Sequence, residues 1–281
     1  MKSRSRNRSQ TKNSLHKTRR LFLLFSTAIT FLIGIRHLLP ERGGRGGSID
    51  AFCPFGAVES AWTTLTTGST LKTVNLFNFA IFSGVAVLAL LAGRAFCGWL
   101  CPLGGLQEFL ADLSRRWGRE KNPVRGKQSQ ARFPTRLPRW ADTPARTLKY
   151  IILIVILAAS VGAAYPPLRE LCPVRAVFGF QIRTPLLLGV AVTFISTSLL
   201  VERLWCKYLC PLGALLAITN KFSPLHIKVE EETCVNCGRG EAECPMDIED
   251  IPHNTRSAEC IRCLECMETC AREEAMALFM G

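Results

Sequence analysis

Residues 260–270 read Cys260-Ile261-Arg262-Cys263-Leu264-Glu265-Cys266-Met267-Glu268-Thr269-Cys270, a C-x2-C-x2-C-x3-C run. Three thiolates at this spacing wrap one 4Fe-4S cube while the fourth reaches another, and zinc ribbons set their cysteine pairs farther apart. Upstream, Cys234-Val235-Asn236-Cys237 and Cys244-Pro245 supply the outer members of a second such run, with Gly240 at its third position. Where two runs exchange their fourth cysteines, Cys244, Cys260, Cys263 and Cys266 form one complete 4Fe-4S site. Cys234, Cys237 and Cys270 are left for a second cluster that lacks one protein thiolate. That cluster is expected as 3Fe-4S, or as 4Fe-4S with its odd iron on water or on a carboxylate such as Glu241. Ala271 stands where a proline often follows the last cysteine.

The rest of the chain is of another character. It has 281 residues, 48% of them hydrophobic, and 13 cysteines, an odd number that cannot all pair in disulfides. The formal net charge of +13 is uneven: Leu225 to Gly281 carries 5 Lys+Arg and 13 Asp+Glu, which leaves 30 and 9 on residues 1–224. A compact basic domain built for nucleic acid would not divide its charge in this way. The acidic excess, including Glu230, Glu231, Glu232, Glu273 and Glu274, reads first as a solvated face. Docking on the basic segment at 97–147 or on a positive redox partner is the functional alternative.

Four mostly apolar runs, Leu21–Leu39, Leu76–Phe96, Leu148–Tyr165 and Pro185–Val201, approach the ~20 residues that cross a bilayer as a helix. The tail from Met1 to Arg20 holds eight Lys+Arg and no acid, and the segment from Cys97 to Thr147 holds ten, so both are assigned to the inside. Both termini are then cytoplasmic, where thiols stay reduced. Arg19-Arg20 before Leu21 faintly resembles a twin-arginine signal, but no Ala-x-Ala-like site follows, and the tail reads as a topology determinant beside anionic headgroups.

The chain repeats itself. Arg94-Ala95-Phe96-Cys97-Gly98-Trp99-Leu100-Cys101-Pro102-Leu103-Gly104 aligns without gaps on Arg203-Leu204-Trp205-Cys206-Lys207-Tyr208-Leu209-Cys210-Pro211-Leu212-Gly213, and Cys53-Pro54 reappears as Cys172-Pro173. A two-span unit has been duplicated with both copies in one orientation. Cys97, Cys101, Cys206 and Cys210 fall at inner span ends, where four thiolates could hold an additional cluster, zinc or Cu(I), or pack as free thiols. Cys53 and Cys172 lie on the outer side as cofactor ligands, a reversible disulfide or packed thiols, three readings that stay open. Glu59, whose repeat partner is Phe178, reads as a solvated loop carboxylate, with proton acceptance as the functional alternative.

The paired C-x3-C-P motifs at 97–102 and 206–211, followed by a cluster module, resemble those of membrane polyferredoxins, the 4Fe-4S binding proteins of the NapH, NosR and CcoG type. The resemblance runs from about residue 21 to the C-terminus. It implies electron transfer in the membrane, with quinol chemistry in the bilayer coupled to clusters on the cytoplasmic face. No FMN or nucleotide fingerprint is visible, and no C-x-x-C-H for attached haem. His37, Arg94, Gln107, Glu108 and Glu202 are the polar groups a quinone could meet, but such residues are more often snorkelling or capping groups, and no quinone site is named from them.

The expected architecture is an all-α polytopic membrane domain with four transmembrane helices and an internal two-span repeat, plus a small α+β ferredoxin-like two-cluster domain. The boundaries are 1–20 for the basic cytoplasmic tail, 21–222 for the membrane domain and 223–281 for the ferredoxin-type domain. The expected role is electron transfer between a quinone pool or cytoplasmic donor and a respiratory or periplasmic redox partner, in the inner membrane and without nucleic acid. A copper reductase or assembly factor is one rival and a redox sensor another.

Overall fold

The computed structural model describes residues 2–36, 54–68, 76–118, 136–161, 171–179, 184–230, 232–251, 253–270, 272 and 275–281. Along the chain run α1 (Lys2–Arg36), α2 (Pro54–Thr67), α3 (Leu76–Ala92), α4 (Ala95–Trp99), α5 (Pro102–Gly118), α6 (Arg139–Ser160), α7 (Pro173–Phe178) and α8 (Pro185–Leu200). A π-helical turn (Trp205–Leu209), α9 (Pro211–Asn220), β1 (Leu225–Val229), α10 (Arg239–Ala242), α11 (Glu265–Glu268) and β2 (Met276–Met280) complete it. Cys53 and His37 lie outside the described residues.

Two helical stretches are long and apolar enough to cross a bilayer, Ser14–Arg36 with 23 residues and Trp140–Ser160 with 21. They overlap the first and third expected spans. Where the other two were expected, α3 and α8 are apolar but 17 and 16 residues long. Large apolar side chains stand outward on all of these helices, among them Leu32, Leu90, Ile154 and Val192. Such surface is costly in water, at about 25 cal/mol per Å², and favourable against lipid.

The chain divides into two compact units. The first comprises Met1–Ser26, Ala86–Gly105 and Leu215–Gly281. Within it β1 and β2 pair antiparallel, with Leu225 opposite Met280 and Val229 opposite Met276, which ties the strand before the first cysteine to the strand after the last. Ile227 and Met276 are turned into the core under the cysteine loops, while Leu278 and Phe279 stay partly open.

The second unit comprises Thr27–Val85 and Leu106–Ala214. Here α2 lies on α6, with Phe55 and Val58 against Leu153, Ile156 and Leu157, and Ala214 and Leu212 beside them. Thr184 caps α8 by accepting the Leu187 amide at 3.4 Å, with Pro185 at the first helical position. Farther along α8 Phe194 meets Trp205 edge to face, 6.0 Å between ring centres.

Candidate metal centres and their surroundings

In the first unit, Cys244, Cys260, Cys263 and Cys266 line one pocket whose other walls include Met246, Ile248, Ile251, Ile261 and Leu264. The backbone explains how four sulfurs come to face inward together. Arg262 and Leu264 take left-handed conformations (φ 51° and 66°), so the chain reverses on either side of Cys263. Asn236 and Gly238 repeat this at φ 46° and 69° around Cys237. The two loops thus superpose in register, Cys234 on Cys260 and Cys237 on Cys263, and Gly240 falls where the other loop has Cys266.

Burial pushes all four thiols of the first pocket up from their ordinary range, Cys263 and Cys266 furthest, and neighbouring sulfurs add to it at Cys244, Cys263 and Cys266. Backbone N–H groups oppose the shift: those of Met246 and Ile248 point at Cys244, and that of Arg262 at Cys260. Four such sulfurs ionise together only around a cationic core, and N–H groups aimed at sulfur are what a cluster's thiolates accept. The donor set fits an iron–sulfur cluster.

Cys234, Cys237 and Cys270 line a second pocket with Gly240, Glu241, Ile251 and Arg272. It is more open, with Cys237 exposed and Cys234 and Cys270 half-buried. A Cβ at Gly240 would lie 3.3 Å from the Cβ of Cys266, closer than side chains normally pack. Glu241 is the carboxylate on this wall, at the position the sequence singled out. Ala271 lies outside the described residues.

Each C-x3-C-P motif turns in the same way. The Cys101 amide donates to Phe96 O at 3.0 Å and the Cys210 amide to Trp205 O at 2.9 Å, one residue beyond α-helical reach, before Pro102 and Pro211 start the next helix. Cys97 and Cys101 belong to the first unit, and Cys206 and Cys210 to the second. Gln107 Nε2 approaches Cys206 Sγ at 3.7 Å, and the Gly213 amide donates to Cys210 Sγ at 3.3 Å. Cys172 is half-buried at the N-cap of α7. The cysteines among the described residues carry no disulfide.

Several polar residues behave differently from the sequence reading. Arg94 is fully buried rather than snorkelling, on Glu259 at 2.6 Å, and its repeat equivalent Arg203 is likewise fully buried, on Glu108 at 2.6 Å. Glu202 pairs with Arg115. Glu59 is 3% exposed, not solvated, and its Oε1 has no partner among the described residues. Burial alone raises its carboxyl to about 7. Arg19, read as part of a lipid-facing tail, is buried and bonds Glu265 Oε1 at 3.0 Å and Gly98 O at 3.3 Å. His16 beside it lies between Glu265 and Glu268, at 2.7 and 2.9 Å.

No sequence signal marked Asn220, the last residue of α9. Its side-chain oxygen accepts the Arg94 amide at 3.1 Å, and its nitrogen donates to Ser257 O at 2.8 Å, Cys260 O at 3.0 Å and Ala258 O at 3.3 Å. Three carbonyls on one side and an N–H on the other fix which way the amide faces.

These cysteine loops, in a chain that also carries apolar helices suited to a bilayer, define a membrane-associated iron–sulfur protein of the ferredoxin type. The family of the 4Fe-4S binding domain matches residues 74–120 and 183–230, the two repeat copies with their C-x3-C-P motifs. The chain is 32% identical over 257 residues to YccM of Escherichia coli K12, covering 86% of this chain and 68% of that one. It is 34% identical over 200 residues to the regulatory protein NosR of Pseudomonas aeruginosa, 68% of this chain and 26% of that one. With the ferredoxin-type protein NapH of Haemophilus influenzae it shares 29% over 228 residues, 74% of this chain and 72% of that one. The chain belongs to this membrane polyferredoxin-like 4Fe-4S family. No solved structure matches it.

Proposed function

We propose that the protein carries electrons along a bilayer surface, between a quinone pool or cytoplasmic donor and a respiratory redox partner. The observation that carries this is the apolar pocket whose ligating atoms are Cys244, Cys260, Cys263 and Cys266. Cys234, Cys237 and Cys270 hold the second cluster, as 3Fe-4S or as 4Fe-4S with its odd iron on Glu241 or water. Cys97, Cys101, Cys206 and Cys210 hold a further centre, a reading supported by the 4Fe-4S family match to those two segments. Four spans, α1, α3, α6 and α8, leave both termini cytoplasmic, with α3 and α8 extended or the bilayer thinned to suit their length. YccM is assigned by name to electron transport, which agrees with this role.

When bound, the clusters supply one-electron chemistry at a potential that ligands, N–H bonds and burial set. The chain's own part is to shield Cys244, Cys263 and Cys266 from water and direct backbone amides at sulfur. The test is anaerobic purification in detergent with iron and sulfide quantitation, followed by dithionite reduction and addition of a soluble quinone analogue. Iron-loaded protein that reoxidises rapidly is expected. Iron-free protein, or reduced clusters indifferent to quinone and to every protein acceptor tried, would overturn the proposal.

A further inference from the structure

The two repeat copies share a turn and a buried arginine, yet they grip different things. In the first copy Arg94 pairs with Glu259, one residue before ligand Cys260. Trp99 Nε1 donates to Arg262 O at 3.0 Å, and the Arg262 guanidinium donates back to Ala92 O. Gly98 lies flat on the Ile261 carbonyl: a Cβ there would stand 2.5 Å from that oxygen, with backbone on both sides and nothing flexible to give way. Arg19 closes the contact by bridging Gly98 O to Glu265, which lies between ligands Cys263 and Cys266.

In the second copy the matching residues are Lys207 and Tyr208. Lys207 is buried, Tyr208 donates to Asp142 of α6, and Arg203 holds Glu108. A lysine side chain at the position of Gly98 could not make the carbonyl contact that glycine makes. The duplicated motif has therefore diverged into a copy that seats the cysteine loop and a copy that packs helices.

We propose that Gly98 and Trp99 are positioning residues that set the Ile261–Arg262 peptide, and with it Cys260 and Cys263, against Cys97, which makes the first motif the electrical neighbour of the Cys244/Cys260/Cys263/Cys266 site. Tunnelling between redox sites is faster through bonded and hydrogen-bonded atoms in contact than across a gap. The Cys97-Gly98-Trp99 backbone meeting Ile261 and Arg262 is such a bridge. An electron exchanged across it oxidises one iron–sulfur site by one and reduces the other by one, with no bond broken and no proton moved. The inference rests on the further centre proposed above at the C-x3-C-P cysteines.

Full-length protein in detergent, wild type, Gly98→Ala and Trp99→Phe, would be flash-reduced anaerobically and followed by freeze-quench EPR. Trp99→Phe, which deletes one hydrogen bond, is expected to keep the wild-type iron content and equilibrium spectra of each centre and to equilibrate electrons between centres several-fold more slowly; Gly98→Ala, which must push the Ile261 carbonyl away, is expected to slow that exchange further. A purely structural role would leave that rate unchanged in correctly loaded protein. Trp99→Phe keeps an aromatic side chain at this position while removing the Nε1–H that donates to Arg262 O, so it carries the test if Gly98→Ala fails to load iron. Wild-type rates in loaded variants overturn this inference and leave the proposed function standing. A wild-type protein with no centre beyond the two of the C-terminal module overturns the inference and the proposed membrane centre together.

Discussion

Asn220→Ala removes a side chain that holds four backbone groups around the loop of Cys260, one of the proposed cluster ligands. Three of these bonds have good length, to Ser257 O, Cys260 O and the Arg94 amide, at 2.8, 3.0 and 3.1 Å. At about 1 kcal/mol net for each, the loss is about 3 kcal/mol, or about a hundredfold in the population of the opened loop. Asn220→Asp should be worse than Ala, because a carboxylate oxygen would face three carbonyl oxygens. The assay is the rate of iron release to an excess of chelator in detergent, under conditions where reclosing outpaces extraction, so that the rate follows the open population. Release accelerated by less than about threefold in Asn220→Ala would refute the reasoning, since a side chain worth less than one such bond cannot be a clamp. So would wild-type release in Asn220→Asp.

Glu259→Gln leaves the fully buried Arg94 without its counter-charge, at a cost of about 3–5 kcal/mol, and is expected to lower the unfolding temperature and expose residues 221–224 to limited proteolysis; an unchanged midpoint would count against the buried pair. Glu59 gives a pH signature with a definite sign. The folded protein keeps this proton up to about pH 7, whereas an unfolded chain releases it near 4.5, so the group's stabilisation is full below 4.5 and falls by about 3 kcal/mol as pH rises to 7. Thermal midpoints of Glu59→Gln should lack that decline, and parallel profiles for the two proteins would be the wrong result. Air exposure should destroy the second site before the first, because Cys237 is exposed and no thiolate stands at Gly240. Gly240→Cys should slow that loss provided Cys266 yields a few tenths of an ångström, and stepwise EPR during oxidation reads both effects.

The cysteine spacing alone was enough to group Cys244 with the last run and to single out Gly240, because ligand geometry around a small cluster is local and repeats with the backbone turns that carry it. The structure adds the matched left-handed residues at Asn236 and Arg262 and at Gly238 and Leu264, which show why the register holds. Apolar runs likewise announced the helices, since hydrophobicity over a window is a property of sequence. One end was less legible: α8 stops within a residue of its expected end at Val201, but α3 stops at Ala92 rather than Phe96, where the turn at Gly93 and the buried Arg94 intervene and hydropathy does not weigh them.

What the sequence by itself determined is the chemistry on offer: which thiols are the candidate ligands, that a segment carrying the C-x3-C-P motif occurs twice, and that charge is divided between a basic and an acidic part. What only the tertiary structure decided is the wiring. Equivalent residues of the repeat, Arg94 and Arg203 or Trp99 and Tyr208, are nearly alike as letters and take different partners, Glu259 and Arg262 in one copy, Glu108 and Asp142 in the other. Arg19, Glu59 and Asn220 carry no pattern either, for burial and hydrogen bonds there depend on residues distant in the chain, 79 and 246 positions away for Arg19 and 37 to 126 for Asn220. Those contacts exist once the chain has folded, and no local rule encodes them.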